Sequence, residues 1–176
     1  HLFEPLKLRD IVLANRIGIP PMCQYSAQDG LAADWHFVHY GSRAVGGAAL
    51  MIIEATGVTP EGRISCGDLG LWNDAQIAPL ARIAGFAREH GCVAALQLAH
   101  AGRKGGVGLV WQKQGTLSAP EGGWTPVAPS AIAFGDGYAV PQALDAAGIR
   151  HVIDSFVAAA RRAAARKPRT PGTPCD

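Results

Sequence analysis

The chain lacks several features that would assign it to a large class of proteins at once. No apolar run of the 176 residues is long enough to span a membrane, and no signal peptide precedes the first predicted strand. Lys and Arg form no stripe, and the net charge is only +2, which argues against nucleic acid as a partner. A hydrophobic fraction of 48% instead predicts a globular chain with one core. We expect this protein in the cytoplasm.

Cysteine is scarce and is not arranged for metal binding. The four cysteines form no C-x-x-C pair, and none has a histidine at the spacing of a zinc site. His36 and His39 share a helix face, but no third ligand follows at matching spacing, so we predict no metal. The cysteines are interpreted as free thiols of a reducing compartment, with Cys66 and Cys92 as inert core residues.

Strand and helix patterns alternate along the chain. Leu6–Leu8 and Ile11–Leu13 flank a polar turn and predict a small hairpin. Apolar runs then predict strands buried on both faces, as in parallel sheets, and residues at helical spacing predict the segments between them. The predicted strands cover 16–19, 48–54 and 93–98; the predicted helices cover 36–46, a segment from Asn73 or Asp74 to Gly91, and a segment that begins at Asp145.

Two segments do not fit this alternation. Residues 101–143 are rich in Gly, Pro and Trp and predict a long loop, and loops of that length are usually functional. After the last helix, where a fourth strand is expected, residues 166–176 form a tail rich in Pro, Arg and Thr. Proline cannot continue a central strand, so we expect a domain over 1–165 and an aberrant tail produced by a frameshift or truncation.

Three such units predict the beginning of a (β/α)8 barrel, which takes about 250 residues when complete. An open doubly wound sheet is the alternative, although its Gly-rich phosphate turn after the first strand is missing. Polar residues follow the carboxyl end of each predicted strand, which is where barrel enzymes carry their sites. These residues are Cys23, Gln24 and Tyr25; Glu54, Ala55 and Thr56; and Gln97 and His100.

Several motifs at these strand ends resemble the old yellow enzyme family. Within this family they are most similar to the thermophilic-like branch, which includes the xenobiotic reductases. The resemblance covers residue 2 to about residue 165, and PPMCQYS is the segment most specific for the branch. The motifs, in chain order, are LFEPLKLRDIVLANRI, PPMCQYS, HFVHYGSRAVGGAALMIIEATGV, EGRISCGDLGLW, QLAHAGRK and APSAIAF.

The resemblance implies a cofactor, a reaction and a set of site residues. It implies an FMN-dependent oxidoreductase that uses NADPH or NADH to reduce the C=C bond of α,β-unsaturated carbonyl compounds. The segment of Pro20, Pro21, Met22 and Cys23 would line the FMN ring, and Ala55 would lie beside its polar edge. Gln97 would bond the ring, because an amide offers both a donor and an acceptor. Cys23 would tune the flavin, and Tyr25 would contact the substrate.

Each of these residues also has a simpler interpretation. Taken alone, Gln97 is better interpreted as a strand-end residue whose side chain bonds loop backbone. Tyr25 is equally well interpreted as a residue that anchors its loop. His100 and Arg103 are expected to shape the loop after the third strand. Trp111 and Trp124 either pack over the substrate mouth or pin the long loop.

The chain also departs from the family pattern, since the H-x-x-H-G-Y motif, a later flavin-contacting Arg and the Gly-rich phosphate site are missing. We therefore expect a truncated, inactive chain that tends to aggregate and binds FMN weakly or not at all. The alternatives are a non-catalytic half-barrel that assembles with a complementary half, and an unrelated barrel enzyme that shares only the fold. The family often forms homo-oligomers.

Overall fold

The chain begins with a two-stranded hairpin. The computed structural model describes residues 1–112 and 115–165. Strands β1 (Leu6–Leu8) and β2 (Ile11–Leu13) pair antiparallel, with Leu8 opposite Ile11. The two-residue turn between them places Arg9 at a φ of 53°, the left-handed region that tight hairpin turns require. The predicted hairpin is confirmed.

A parallel sheet forms the centre of the molecule. Strand β4 (Leu50–Gly57) lies between β3 (Gly18–Ile19) and β6 (Val93–Ala99), and both neighbours run parallel to it. Pro20 and Pro21 end β3 after two residues because proline supplies no N–H to a ladder. A short strand, β5 (Leu69–Gly70), then pairs with the last residues of β4. Since β6 occupies the other side of β4, β5 continues the sheet on the side of β3.

Three helices alternate with these strands, as the sequence predicts. They are α1 (Asp34–Val45), α2 (Ile77–Glu89) and α3 (Ala146–Ala164). A single 3-10 turn precedes α2, and the Asn73 side chain accepts a hydrogen bond from the backbone N–H of Ala75 at its start. The Asp145 carboxylate caps α3 by accepting from the Gly148 N–H. Both predicted caps are therefore confirmed.

The core lies between the sheet and the first two helices. Tyr40 and Ala44 of α1 and Leu80, Ile83 and Ala87 of α2 are buried, and the apolar side chains of β4 pack with them. This arrangement buries the apolar stripe of each helix against one sheet, as in other proteins with parallel sheets. The elements needed for three β/α units are thus present and packed.

The expectation that the third predicted strand is buried on both faces is wrong. β6 is only partly buried, and Ala95 and Gln97 are exposed, because among the described residues the strand pairs with β4 alone. The apolar side chains of α3 are also largely uncovered: Ile149, Ile153 and Val157 are 48%, 47% and 44% exposed. Amphipathic spacing predicts which residues can be buried, but burial itself requires a neighbouring element.

The long loop is more ordered than a structureless connection. The described part of residues 101–143 contains two 3-10 turns and two short strands, β7 (Val127–Ala128) and β8 (Gln142–Ala143), which pair in parallel. The predicted tail over 166–176 lies outside the described residues. Within those residues, no helix combines the length and the apolar character needed to cross a membrane.

Candidate functional site

The carboxyl ends of three adjacent strands bring the predicted site segments to one edge of the sheet. The segment Pro20–Cys23 follows β3, Ala55 lies in β4, and Gln97 lies in β6. The β4–β6 ladder shifts register between Ile53–Leu96 and Thr56–Leu98, so Glu54 and Ala55 together face Gln97 alone. Such a bulge bends the strand and re-aims its side chains, and bulges are frequent beside active sites.

The Cys23 thiol is half-buried at this edge. Burial, and after it the carboxylates of Asp68 and Glu54, raise the pKa of Cys23 to about 11. The backbone N–H of Ala55 interacts with the thiol and acts in the opposite sense. Cys23 and Ala55 are therefore neighbours, and Cys23 is a neutral thiol at physiological pH.

Hydrogen bonds fix the backbone on both sides of Cys23. The Gln24 N–H donates to Glu54 Oε1 at 2.9 Å, and the Gln24 side-chain amide donates to the Met22 carbonyl at 2.9 Å. The Trp35 indole N–H donates to Gln24 Oε1 at 3.2 Å. The loop after β3 is thus held by β4 and by the first turn of α1.

A buried polar cluster beneath the site was not predicted. Glu54 is fully buried, and its Oε2 accepts from the Tyr40 hydroxyl at 2.7 Å, while that hydroxyl accepts from the Glu54 N–H at 2.9 Å. Burial, followed by the Glu54 charge, raises the pKa of Tyr40. The sequence offers one signal, an acidic residue that ends the apolar run of 48–53, because a buried carboxylate requires partners.

Tyr25 lies on the same loop in an unusual conformation. Its φ is 53°, and its ring meets the Trp111 ring edge to face at a centroid distance of 5.9 Å. A positive φ is uncommon for a non-glycine residue and is often found at functional sites. Burial, and then the neighbouring ionisable groups of Cys23, Asp68 and Glu54, raise the pKa of Tyr25, so its hydroxyl keeps its proton.

Gln97 places an unbonded side-chain amide at the carboxyl edge of the sheet. Its side chain is exposed and makes no hydrogen bond to any described residue. The interpretation of Gln97 as a bond to loop backbone is therefore not supported. An unbonded amide beside a bulge fits a planar ligand whose edge alternates donors and acceptors. Pro20 and Met22, in the segment that follows β3, are also exposed.

The sequence profile of the NADH:flavin oxidoreductase / NADH oxidase family matches residues 1–167. The chain belongs to this family. Among relatives of the family, the NADPH dehydrogenase of Listeria monocytogenes is 46% identical over 164 residues, which is 92% of this chain and 44% of the relative. The NADPH dehydrogenase of Geobacillus thermodenitrificans is 43% identical over the same shares of both chains. The chain thus spans less than half the length of these relatives.

Solved structures of this flavin oxidoreductase family share the fold. Morphinone reductase matches with a TM-score of 0.74 and 32% identity, over 92% of this chain and 44% of that one. The old yellow enzyme homologue from Zymomonas mobilis matches with a TM-score of 0.75 and 29% identity over the same shares. The predicted resemblance to old yellow enzymes and the partial (β/α)8 barrel are confirmed. At the level of the family, so are the oxidoreductase class, FMN and NAD(P)H.

The residues that follow β6 shape the loop, as predicted. The His100 Nδ1 accepts from the Gly102 N–H, and Arg103 donates to the Ser130 hydroxyl. Trp124 pins the long loop, since its indole N–H donates to the Glu61 carbonyl and its ring stacks on Arg63. The interpretation of Cys66 as a core thiol is wrong, because Cys66 is exposed; Cys92 is buried as expected.

Proposed function

We propose that this chain forms the ring-binding part of an FMN-dependent ene-reductase, which uses NAD(P)H to reduce the C=C bond of α,β-unsaturated carbonyl compounds. The observation that carries the proposal is the bulged edge where Ala55 and Gln97 face each other beside the Cys23 thiol. Family membership supports the flavin. The free amide of Gln97 matches the donor and acceptor groups of a flavin edge.

Each residue of the edge has a distinct proposed role. Pro20, Pro21 and Met22 line the ring plane, and Cys23 adjusts the polarity beside it. Gln97 orients the ring by donating and accepting hydrogen bonds. FMN, when bound, supplies the hydride chemistry of the family. Tyr25, which keeps its proton, donates a hydrogen bond to the carbonyl oxygen of the substrate, where negative charge develops.

A second candidate function is a non-catalytic half-barrel that assembles with a complementary half. One observation favours it: within the described residues β6 has a free edge, and α3, whose apolar side chains are partly exposed, packs next to β6. Exposed strand edges and contiguous apolar stripes are typical of surfaces that another element covers. We also propose a cytoplasmic location, in agreement with the free thiols of Cys23, Cys66 and Cys92.

Flavin titration tests the proposal. The purified chain is titrated with FMN, alone and after mixing with the C-terminal half of a full-length relative, and flavin fluorescence is recorded. We expect weak or no binding by the chain alone and saturable binding with the added half. NADPH consumption with a cyclic enone then reports the reaction. Binding without turnover would favour the assembly function alone.

A matched pair of variants shows whether Gln97 orients the ring. Gln97→Leu should weaken FMN binding by the assembled pair about tenfold, because each lost hydrogen bond costs about 1–1.5 kcal/mol. Gln142→Leu replaces an exposed glutamine on β8 and should leave binding unchanged. Equal affinities for the two variants would refute the assignment of Gln97.

A further inference from the structure

Two buried carboxylates hold the loop of Cys23 from two different segments. Glu54 is fully buried, and its Oε1 accepts from the N–H of Gln24, the residue that follows Cys23. Asp68 is 1% exposed, and its two oxygens accept from the Ser65 hydroxyl and the Ile64 N–H, both at 2.8 Å. These bonds shape a turn at 64–68 that packs on the loop.

The turn at 64–68 contacts the loop through backbone atoms. The Gly67 carbonyl accepts from the Ala27 N–H at 2.9 Å, and a side chain at Gly67 would meet the Tyr25 carbonyl oxygen at 2.7 Å. Glu54 therefore fixes the loop directly after Cys23, and Asp68 fixes the turn against which the loop continues. Both carboxylates act on the position of the same thiol.

The side chains that act electrostatically on Cys23 are acidic. Within the described residues they are Asp68 and Glu54, and the Ala55 N–H acts in the opposite direction. Reactive thiolates in proteins sit beside Lys, Arg, His⁺ or a helix N-terminus, and none of these is among the groups that act on Cys23. Two carboxylates beside a half-buried thiol favour the neutral form.

His36 lies near Glu54 but does not form a hydrogen bond with it. Its Nδ1 accepts from the Ala33 N–H at 3.1 Å, so the ring proton lies on Nε2. That Nε2 is buried and lies 3.7 Å from Glu54 Oε1, beyond hydrogen-bond distance. The hydrogen bonds of the Glu54 carboxylate therefore come from Gln24 and Tyr40, and the first of them holds this carboxylate next to the residue that follows Cys23.

We propose that Glu54 and Asp68 are positioning residues, which hold the Cys23 side chain beside Ala55 and keep it a neutral thiol. The proposal deepens the function proposed above and rests on it for the role of Cys23 at a flavin ring. A neutral thiol can donate a weak hydrogen bond to a ring, which a thiolate cannot do. It also resists alkylation and oxidation, which proceed through the thiolate.

The experiment measures the reactivity of Cys23 without flavin, so it is independent of whether the chain binds FMN. The rate of alkylation by iodoacetamide is followed between pH 7 and 11 by peptide mass spectrometry, with exposed Cys66 of the same chain as the reference. We expect Cys23 to react far more slowly than Cys66 at pH 8. Glu54→Gln and Asp68→Asn remove one charge each, and each should raise the Cys23 rate at pH 9 about three- to tenfold, since one pKa unit changes the thiolate fraction tenfold.

A control separates charge from packing. Ser65→Ala removes one of the two hydrogen bonds of Asp68 and leaves both carboxylates, so it should change the Cys23 rate less than Asp68→Asn does. A wild-type Cys23 profile like that of an ordinary thiol, with a pKa of about 8.5, would overturn the proposal without any variant. Unchanged rates in both charge variants, or loss of the native circular dichroism spectrum in both, would overturn it as well.

Discussion

At the scale of the residue, Gly67 sets the distance between the turn at 64–68 and Tyr25. A Cβ at this position would lie 2.7 Å from the Tyr25 carbonyl oxygen, a backbone atom that cannot rotate away. Gly67→Ala should therefore destabilise the chain by about 1–3 kcal/mol, the usual cost of overpacking. Urea unfolding followed by circular dichroism measures the change.

Gly85 provides the matched control for this substitution. It lies inside α2, and a Cβ there would meet only the Arg88 side chain at 4.0 Å. Gly85→Ala should stabilise the chain by about 0.5–1 kcal/mol, because alanine favours the helix. Equal effects of the two substitutions would show that the contact with Tyr25 does not constrain the loop.

His100 makes the stability of the chain depend on pH. Burial lowers its pKa, although Glu61 acts in the opposite direction, and its Nε2 is buried without a partner. The unfolded chain binds a proton at the ordinary histidine pKa of about 6.5, while the folded chain binds it only at lower pH. The contribution of neutral His100 to stability is therefore fully present above pH 6.5 and is lost as the pH falls below this value.

Thermal unfolding between pH 7.5 and 5.5 checks this dependence. We expect the midpoint of the wild-type chain to fall toward pH 5.5 and the decrease to be smaller in His100→Asn. His39, whose pKa burial and Arg43 also lower, should cause the remaining decrease. The same pH dependence in both proteins would show that His100 takes up a proton equally in the folded and unfolded states.

At the scale of the element, α3 combines a packed side with an uncovered one. Phe156 packs against the core, whereas Ile149 and Ile153 are about half exposed. The double substitution Ile149→Gln and Ile153→Gln should reduce self-association in sedimentation experiments. It should change the free energy of unfolding by only about 0.5 kcal/mol, as is usual at exposed positions.

Phe156→Gln is the control for the packed side of α3. It removes apolar contacts from the core and should cost more than about 1 kcal/mol of stability, without an equal gain in solubility. Unchanged self-association in the double variant would show that another surface mediates it, for example the exposed apolar residues of the N-terminal hairpin.

At the scale of the whole molecule, three β/α units form a parallel sheet. Strand β4 pairs with a neighbour on each side, whereas β6 has one edge that pairs with no strand of the described residues. The candidate site lies at the carboxyl edge of this sheet, and the residues proposed to face the flavin ring come from three separate segments. Because β4 connects all of them, its packing should control the geometry of the whole edge. The open side explains why a second half is expected to improve binding.

The sequence by itself determined the local elements and the members of the edge. Apolar runs and helical spacing predicted the strands and helices within a few residues, and Asp145 and Asn73 were recognised as caps, because these signals depend on short-range interactions. Strand-end placement brought Cys23, Ala55 and Gln97 into one hypothesis. The resemblance of the surrounding motifs added the flavin.

Only the tertiary structure decided what depends on contacts between distant segments. The bulge opposite Gln97 arises from the pairing of β4 with β6, and the burial of Glu54 arises from α1 and the loop after β3 meeting above it. The spacing of residues does not encode such contacts, since a carboxylate in an apolar run is costly until Tyr40 and Gln24 donate to it. For the same reason, the helical spacing after Asp145 predicts α3 but does not show which of its apolar side chains are covered.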